Sequence, residues 1–161
     1  MDNLEREFEN VIKLHKNTIY TVCYMFSKDA DEVAEMFQEI SINIWRGFAD
    51  FRGDSNIKSW IWRVCLNTCI STERKKQRVV KERIAWKIKS TAESSAGSDS
   101  RQLRMLRERI NMLDLFDRAI VLLWLENLSY EEIALLMGIS VKNVSVRLVR
   151  IREKIKKLSN N

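Results

Sequence analysis

From Phe8 onward, apolar and polar side chains recur with a helical period over much of the chain. Phe8, Val11, Ile12, Ile19, Val22 and Phe26 fall on one stripe and predict a helical run. Val33, Phe37, Ile40 and Ile44 form a second stripe, on a helix starting near Ala30. Its other face carries Glu35, Gln38, Glu39, Asn43 and Arg46. Phe48–Asn56, with Gly47 and Gly53 near its ends, breaks the pattern and reads as a loop. A third helix is predicted from Ser55 or Asn56 to about Gln77 or beyond, with Ile57, Ile61, Val64, Cys65 and Thr68 on one face. Trp60, Arg63, Asn67, Ser71, Arg74 and Arg78 follow one another on a neighbouring face. Such a face can simply solvate the helix, with Trp60 in the core. An aromatic, an amide and arginines in line also suit a polyanion.

The pattern stops at Ser90–Ser100, a Ser-rich segment short of apolar side chains, which predicts a flexible linker between blocks 1–89 and 101–161. Leu103, Leu106, Ile110 and Leu113 open the second block as a helix seam. Asp114 or Asp117 can start the apolar helix Arg118–Glu126. The fold expected is all-α, two small helical domains on a flexible joint. The absence of proline and the four glycines agree with helices and short connections.

The clearest local signal follows. Ser129-Tyr130-Glu131-Glu132 is a capping box that starts a helix reaching Met137, with Ile133 and Leu136 inward and Ala134 small enough for a close helix approach. Gly138 supplies the left-handed residue that ends it, Ile139 packs under the turn, and Ser140 caps the next helix. Val144, Leu148, Ile151, Ile155 and Leu158 make that helix's buried stripe. This is a helix-turn-helix. In such a motif the N-terminal part of the second helix meets base edges. Lys142, Asn143, Ser145 and Arg150 can donate or accept there, and exposed Val146 and Val149 suit thymine methyl groups. Arg147, Arg152, Lys154, Lys156 and Lys157 lie to the sides, where phosphates pass.

Charge supports the same direction. The net charge is +6, but residues 1–50 carry −5, 51–89 carry +8, and 141–161 carry +6. Two basic blocks, each on a patterned helix, favour a nucleic-acid partner over solvated faces. The acidic start, Met1–Asn10, lacks the apolar core of a signal peptide, and the apolar run Ala119–Leu125 is too short to span a bilayer. A cytoplasmic protein with no membrane insertion is expected. Cys23, Cys65 and Cys69 read as buried apolar side chains, and with His15 as the sole histidine no metal site or cofactor is expected.

The chain resembles the alternative sigma factors of bacterial RNA polymerase, in the small extracytoplasmic-function group. Glu35-Met36-Phe37-Gln38-Glu39 followed by Ile44-Trp45 is similar to the signature of sigma region 2. Phe51-Arg52-Gly53-Asp54-Ser55, then Ser59-Trp60-Ile61-Trp62-Arg63-Val64 and Asn67-Thr68, is similar to the next part of that region. Leu128–Leu158 resembles sigma region 4. The resemblance implies docking of Glu35, Gln38, Glu39 and Asn43 on the clamp helices of the polymerase largest subunit. It implies −10 recognition and melting by Phe51, Arg52, Asp54, Ser55, Asn56, Lys58 and Trp60, with Asn67 lining a pocket for an unstacked base. Arg63, Ser71, Arg74, Lys75, Lys76 and Arg78 would follow the −10 strand, the basic ones on its phosphates. It further implies −35 reading by Lys142, Asn143, Ser145, Val146, Arg147, Val149, Arg150 and Lys154. An anti-sigma factor partner and a monomeric free state come from the resemblance too. Ser145-Val146-Arg147 stands where the family often has a Lys/Arg-Ser-Arg run, and Ile61 where primary sigma factors have a second Trp.

The rival reading is a stand-alone helix-turn-helix regulator using 1–89 for dimerisation or sensing. It leaves the Gln38-Glu39 helix and the Trp60–Arg78 face without a role. An enzyme is not expected, because His15 is isolated and no phosphate-cradling glycine loop is present.

Overall fold

A computed structural model describes residues 2–51, 53, 56–83 and 101–159. The linker expected over 90–100 lies outside the described residues, as do Arg52, Asp54 and Ser55. Every regular element among the described residues is a helix, and the chain divides into two compact units, 1–97 and 98–161.

The first unit contains α1 (Asn3–Leu14), α2 (Lys16–Phe26), α3 (Ala30–Phe48) and α4 (Ile57–Arg83). The single helical run expected over Phe8–Phe26 is two helices, broken at His15 (φ −105°, ψ 12°). The break lets α2 sink Ile19, Val22, Cys23 and Phe26 into the core while α1 stays outside. Phe8 of α1 then meets Trp45 and Phe48 of α3 edge-on, at centroid distances of 5.0 and 6.0 Å. α3 begins where the Asp29 carboxylate accepts from the Glu32 amide at 2.9 Å. Its buried line is Met36, Ile40 and Ile44, so Met36 takes the central place that the sequence pattern assigned to Phe37. Phe37 lies to the side, stacked on Tyr20 at 4.5 Å. α4 supplies Ile61, Trp62, Cys65, Leu66 and Cys69 to the same core.

The second unit contains α5 (Arg101–Asn111), α6 (Leu115–Leu125), α7 (Tyr130–Met137) and α8 (Val141–Ser159). Residues 117–123 are all buried, so α6 is the central helix of this unit. Asp114 is its cap, accepting from the Asp117 amide at 2.8 Å, and the helix starts before Arg118. Buried Arg118 donates from Nη2 to the carbonyls of Asn111 (3.0 Å) and Leu113 (3.3 Å), tying the end of α5 to α6.

Candidate nucleic-acid interface

In the first unit the exposed side of α3 is acidic. Glu35, Gln38 and Glu39 are exposed, and Asn43 is half-buried. Asn43 Nδ2 donates to Thr68 Oγ1 at 2.9 Å, and that hydroxyl donates to the Val64 carbonyl at 2.7 Å. Asn43 therefore pins α3 to α4. Glu32, Glu35 and Glu39 line one side of a groove whose other side is Thr72, Lys75 and Lys76 of α4, with Met36 between. Lys76 Nζ bridges the groove to Glu32 at 3.3 Å. Lys75, assigned from the sequence to the DNA stripe, thus also borders the acidic face.

On α4 the mixed face is open. Lys58, Arg63, Asn67, Ser71, Arg74 and Arg78 are all exposed, while Ile61, Cys65, Thr68 and Cys69 of the same helix are buried. The Asn56 side chain accepts from the Lys58 amide at 2.9 Å and starts the helix. Trp60 is half-buried, its ring 5.0 Å from that of Phe51. A Cβ on Gly47 would lie 2.9 Å from Trp60 Cζ2, so the bare glycine at the end of α3 is the seat of the indole. Gly47, read from sequence only as a loop boundary, leaves the space into which the Trp60 indole packs beside Phe51. An isolated glycine within an otherwise helical stretch was the available signal.

Neutral His15 is favoured: burial, then the positive charge of Lys58, lowers its pKa from 6.5. Burial pushes the Cys23 thiol up to about 12 and that of Cys65 higher still. Among the described residues no group of three or more His, Cys, Asp or Glu is placed to hold a metal ion, and no helix is long and apolar enough to cross a membrane.

In the second unit, Ser129 Oγ accepts from the Glu132 amide at 3.1 Å. The Glu132 carboxylate reaches back to the same hydroxyl, which donates to it at 3.1 Å. Gly138 is left-handed (φ 70°, ψ 33°) with open space around its Cβ position, so backbone conformation is what calls for glycine there. Ser140 accepts from the Asn143 amide at 3.1 Å and opens α8. Val144, Leu148 and Ile151 are buried, with Ile155 and Leu158 half-buried. Lys142, Asn143, Ser145, Val146, Val149, Arg150 and Lys154 are exposed together. Arg147 is turned back on its own unit. Its Nη1 lies 2.9 Å from Asp117 Oδ1, and its guanidinium sits 4.7 Å from the Phe116 ring centre. Arg152 lies 4.3 Å over Trp124 in the same way.

Two family models match the chain: sigma-70 region 2 over residues 11–79 and sigma-70, region 4 over residues 103–155. The RNA polymerase sigma-H factor of Pseudomonas aeruginosa is 29% identical, covering 95% of this chain and 86% of that protein. The ECF RNA polymerase sigma-E factor of Escherichia coli is 26% identical, over 94% and 85% respectively. The fold is similar to that of the sigma factor RpoE, solved in complex with the anti-sigma factor NepR from Bartonella quintana. There the TM-score is 0.78 at 24% identity, over 96% of this chain and 98% of that one. CnrH, solved with the cytosolic domain of CnrY, gives 0.68 at 20% identity, over 97% and 89%. With both regions matched in order, and with relatives aligned along nearly the whole chain, the protein belongs to the sigma-70 family of RNA polymerase sigma factors, in the extracytoplasmic-function group.

Proposed function

We propose that this sigma factor docks on core RNA polymerase through Glu35, Gln38 and Glu39 of α3 and opens the −10 element along the exposed face of α4. It reads the −35 element through α8. The observation that carries this reading is the face of α4. Arg63, Asn67, Ser71, Arg74 and Arg78 are exposed in one line on a helix whose opposite side is core. Unpaired bases need new stacking and hydrogen-bonding partners, and phosphates need cations. Phe51, Asn56, Lys58 and Trp60 flank the start of that line, and Arg52, Asp54 and Ser55 belong to the same loop in sequence. Asn43 supports the docking helix through Thr68. Lys75 lies between docking face and DNA stripe and adds positive charge to both.

The protein acts in the cytoplasm, where polymerase and promoters are, and performs no covalent chemistry of its own. RpoE and CnrH were solved with an anti-sigma factor and with the cytosolic domain of CnrY, respectively, and an inhibitory partner of that kind is proposed here. The stand-alone regulator is not favoured, because the first unit matches sigma region 2.

The test separates the two DNA contacts. In reconstituted holoenzyme, Asn67→Ala lowers open-complex formation about tenfold, while binding to a duplex fragment carrying only the −35 element is unchanged. Glu39→Arg weakens association with core polymerase. Equal loss in both DNA assays, or unchanged core affinity for the Glu39 variant, argues against the reading.

A further inference from the structure

We infer that Arg147 is a positioning residue, which sets the roll of α8 through Asp117 and so decides which side chains reach the bases. The inference rests on the proposed role of α8 as the −35 reader. The buried stripe Val144, Leu148 and Ile151 establishes which side of α8 faces inward. Apolar burial is non-directional, and packed side chains fix the rotation of a helix about its axis less sharply than a bond between two named atoms does. Base readout tolerates only about 10–20° of misalignment. Directional contacts must therefore narrow the roll.

Two such contacts run from α8 to α6. Arg147 meets Asp117 Oδ1 at 2.9 Å with its guanidinium over Phe116, and Arg152 lies over Trp124. Phe116 and Trp124 are eight residues apart, about 12 Å along a helix. The two arginines thus hold α8 at two points along the central helix. Their anchor is firm. The Asp117 side chain is only 11% exposed, and its amide is bonded to the capping carboxylate of Asp114. The next residue, Arg118, grips the end of α5. One turn of α6 therefore ties down both α5 and α8.

A phosphate contact by the same guanidinium would compete with this anchor. Swinging Arg147 outward leaves the Asp117 carboxylate little exposed and unpaired, which is costly. Arg150, Lys142 and Lys154 are exposed and form no ion pair among the described residues. They can meet phosphates as well as base edges, whereas Arg147 releases no counterion on binding. The two roles predict opposite outcomes when Asp117 is neutralised. A phosphate ligand is freed to bind DNA more tightly; a positioning residue loses its hold.

The experiment uses holoenzyme reconstituted with the full chain. Wild type first selects upstream sequences from a promoter library randomised in the −35 region. Affinity for the selected and a scrambled upstream sequence is then measured against salt for Asp117→Asn, Arg147→Lys and Arg150→Gln, with helicity checked by circular dichroism. Asp117→Asn and Arg147→Lys are expected to reduce the preference for the selected sequence about tenfold, the range of a lost base contact. Their salt slopes stay at the wild-type value, whereas Arg150→Gln lowers the slope by about 0.9. Arg147→Lys keeps the charge and gives up the planar guanidinium that reaches Asp117 while lying over Phe116, so it carries the test should Asp117→Asn fail to fold. Exchanging the pair, Asp117→Arg with Arg147→Asp, restores part of the preference, which a loss of stability alone does not explain. Tighter binding of Asp117→Asn to both sequences, or an unchanged preference with Arg147→Lys, overturns the proposal. Failure of wild type to select any upstream sequence would instead refute α8 as a promoter reader, before any variant is compared.

Discussion

Replacing Gly47 by alanine puts a methyl group against the indole of Trp60. The added Cβ would stand 2.9 Å from Cζ2 and 3.7 Å from Cη2, so the ring must move by a large fraction of an ångström. Two energies then oppose each other. Removing a glycine from the last turn of α3 favours the helix by about 0.5–1 kcal/mol. Overpacking against a held aromatic costs about 1–3 kcal/mol. Their difference leaves the unit roughly 0–2.5 kcal/mol less stable. Function should suffer more than stability, because Trp60 is also packed on Phe51, whose loop flanks the proposed base pocket. The expected result is a several-fold loss of open-complex formation by permanganate footprinting, with a modest drop in thermal midpoint. Trp60→Phe deletes the atoms that clash. In a double-mutant cycle, Gly47→Ala should therefore cost less beside Trp60→Phe than alone, with a coupling of about 1 kcal/mol. Additivity within about 0.3–0.5 kcal/mol would refute the seat.

Three further outcomes follow from the same geometry. Ser129→Ala removes both the amide and the carboxylate contacts at the start of α7 and should destabilise the second unit by about 1 kcal/mol, seen as faster amide exchange in α7; unchanged exchange contradicts the cap. Buried Cys23, Cys65 and Cys69 should resist an aromatic disulfide reagent at pH 8 and react on denaturation, since at that pH Cys23 and Cys65 stay protonated, well below their raised pKa values; rapid labelling of native protein contradicts this. His15 has a lowered pKa, so the unfolded chain binds its proton more readily and its contribution to stability is lost as pH falls below 6.5. Denaturant titrations at descending pH should show a shallower decline for His15→Gln, and parallel curves would remove His15 as a cause.

Local chemistry was the most legible part of the chain. The capping box, Gly138 and Ser140 each act through neighbours within a few residues, and their bonds form as the sequence pattern implies. The line Arg63–Arg78 was readable because helical period alone determines a face. What escaped were contacts made across the fold. Asn43 looks like one more polar residue on an exposed face until Thr68, 25 residues away, receives its amide. Nothing near Arg147 in the chain foretells that Asp117, 30 residues back, accepts from its guanidinium. The break at His15 carries neither proline nor glycine, so the local pattern held no reason to divide the run. Periodicity reports which side of a helix is apolar; it is silent on which polar residue of another helix lies opposite.

The central claim is that this chain converts core polymerase into a promoter-specific enzyme complex. Run-off transcription with purified core polymerase, on a library of promoter fragments and with start sites mapped, tests it most directly. Transcripts are expected only when the chain is added, starting downstream of a shared pair of −35 and −10 sequences, and lost on scrambling either. Transcription no different from core alone, together with tight binding of the free protein to duplex operator DNA, would contradict it.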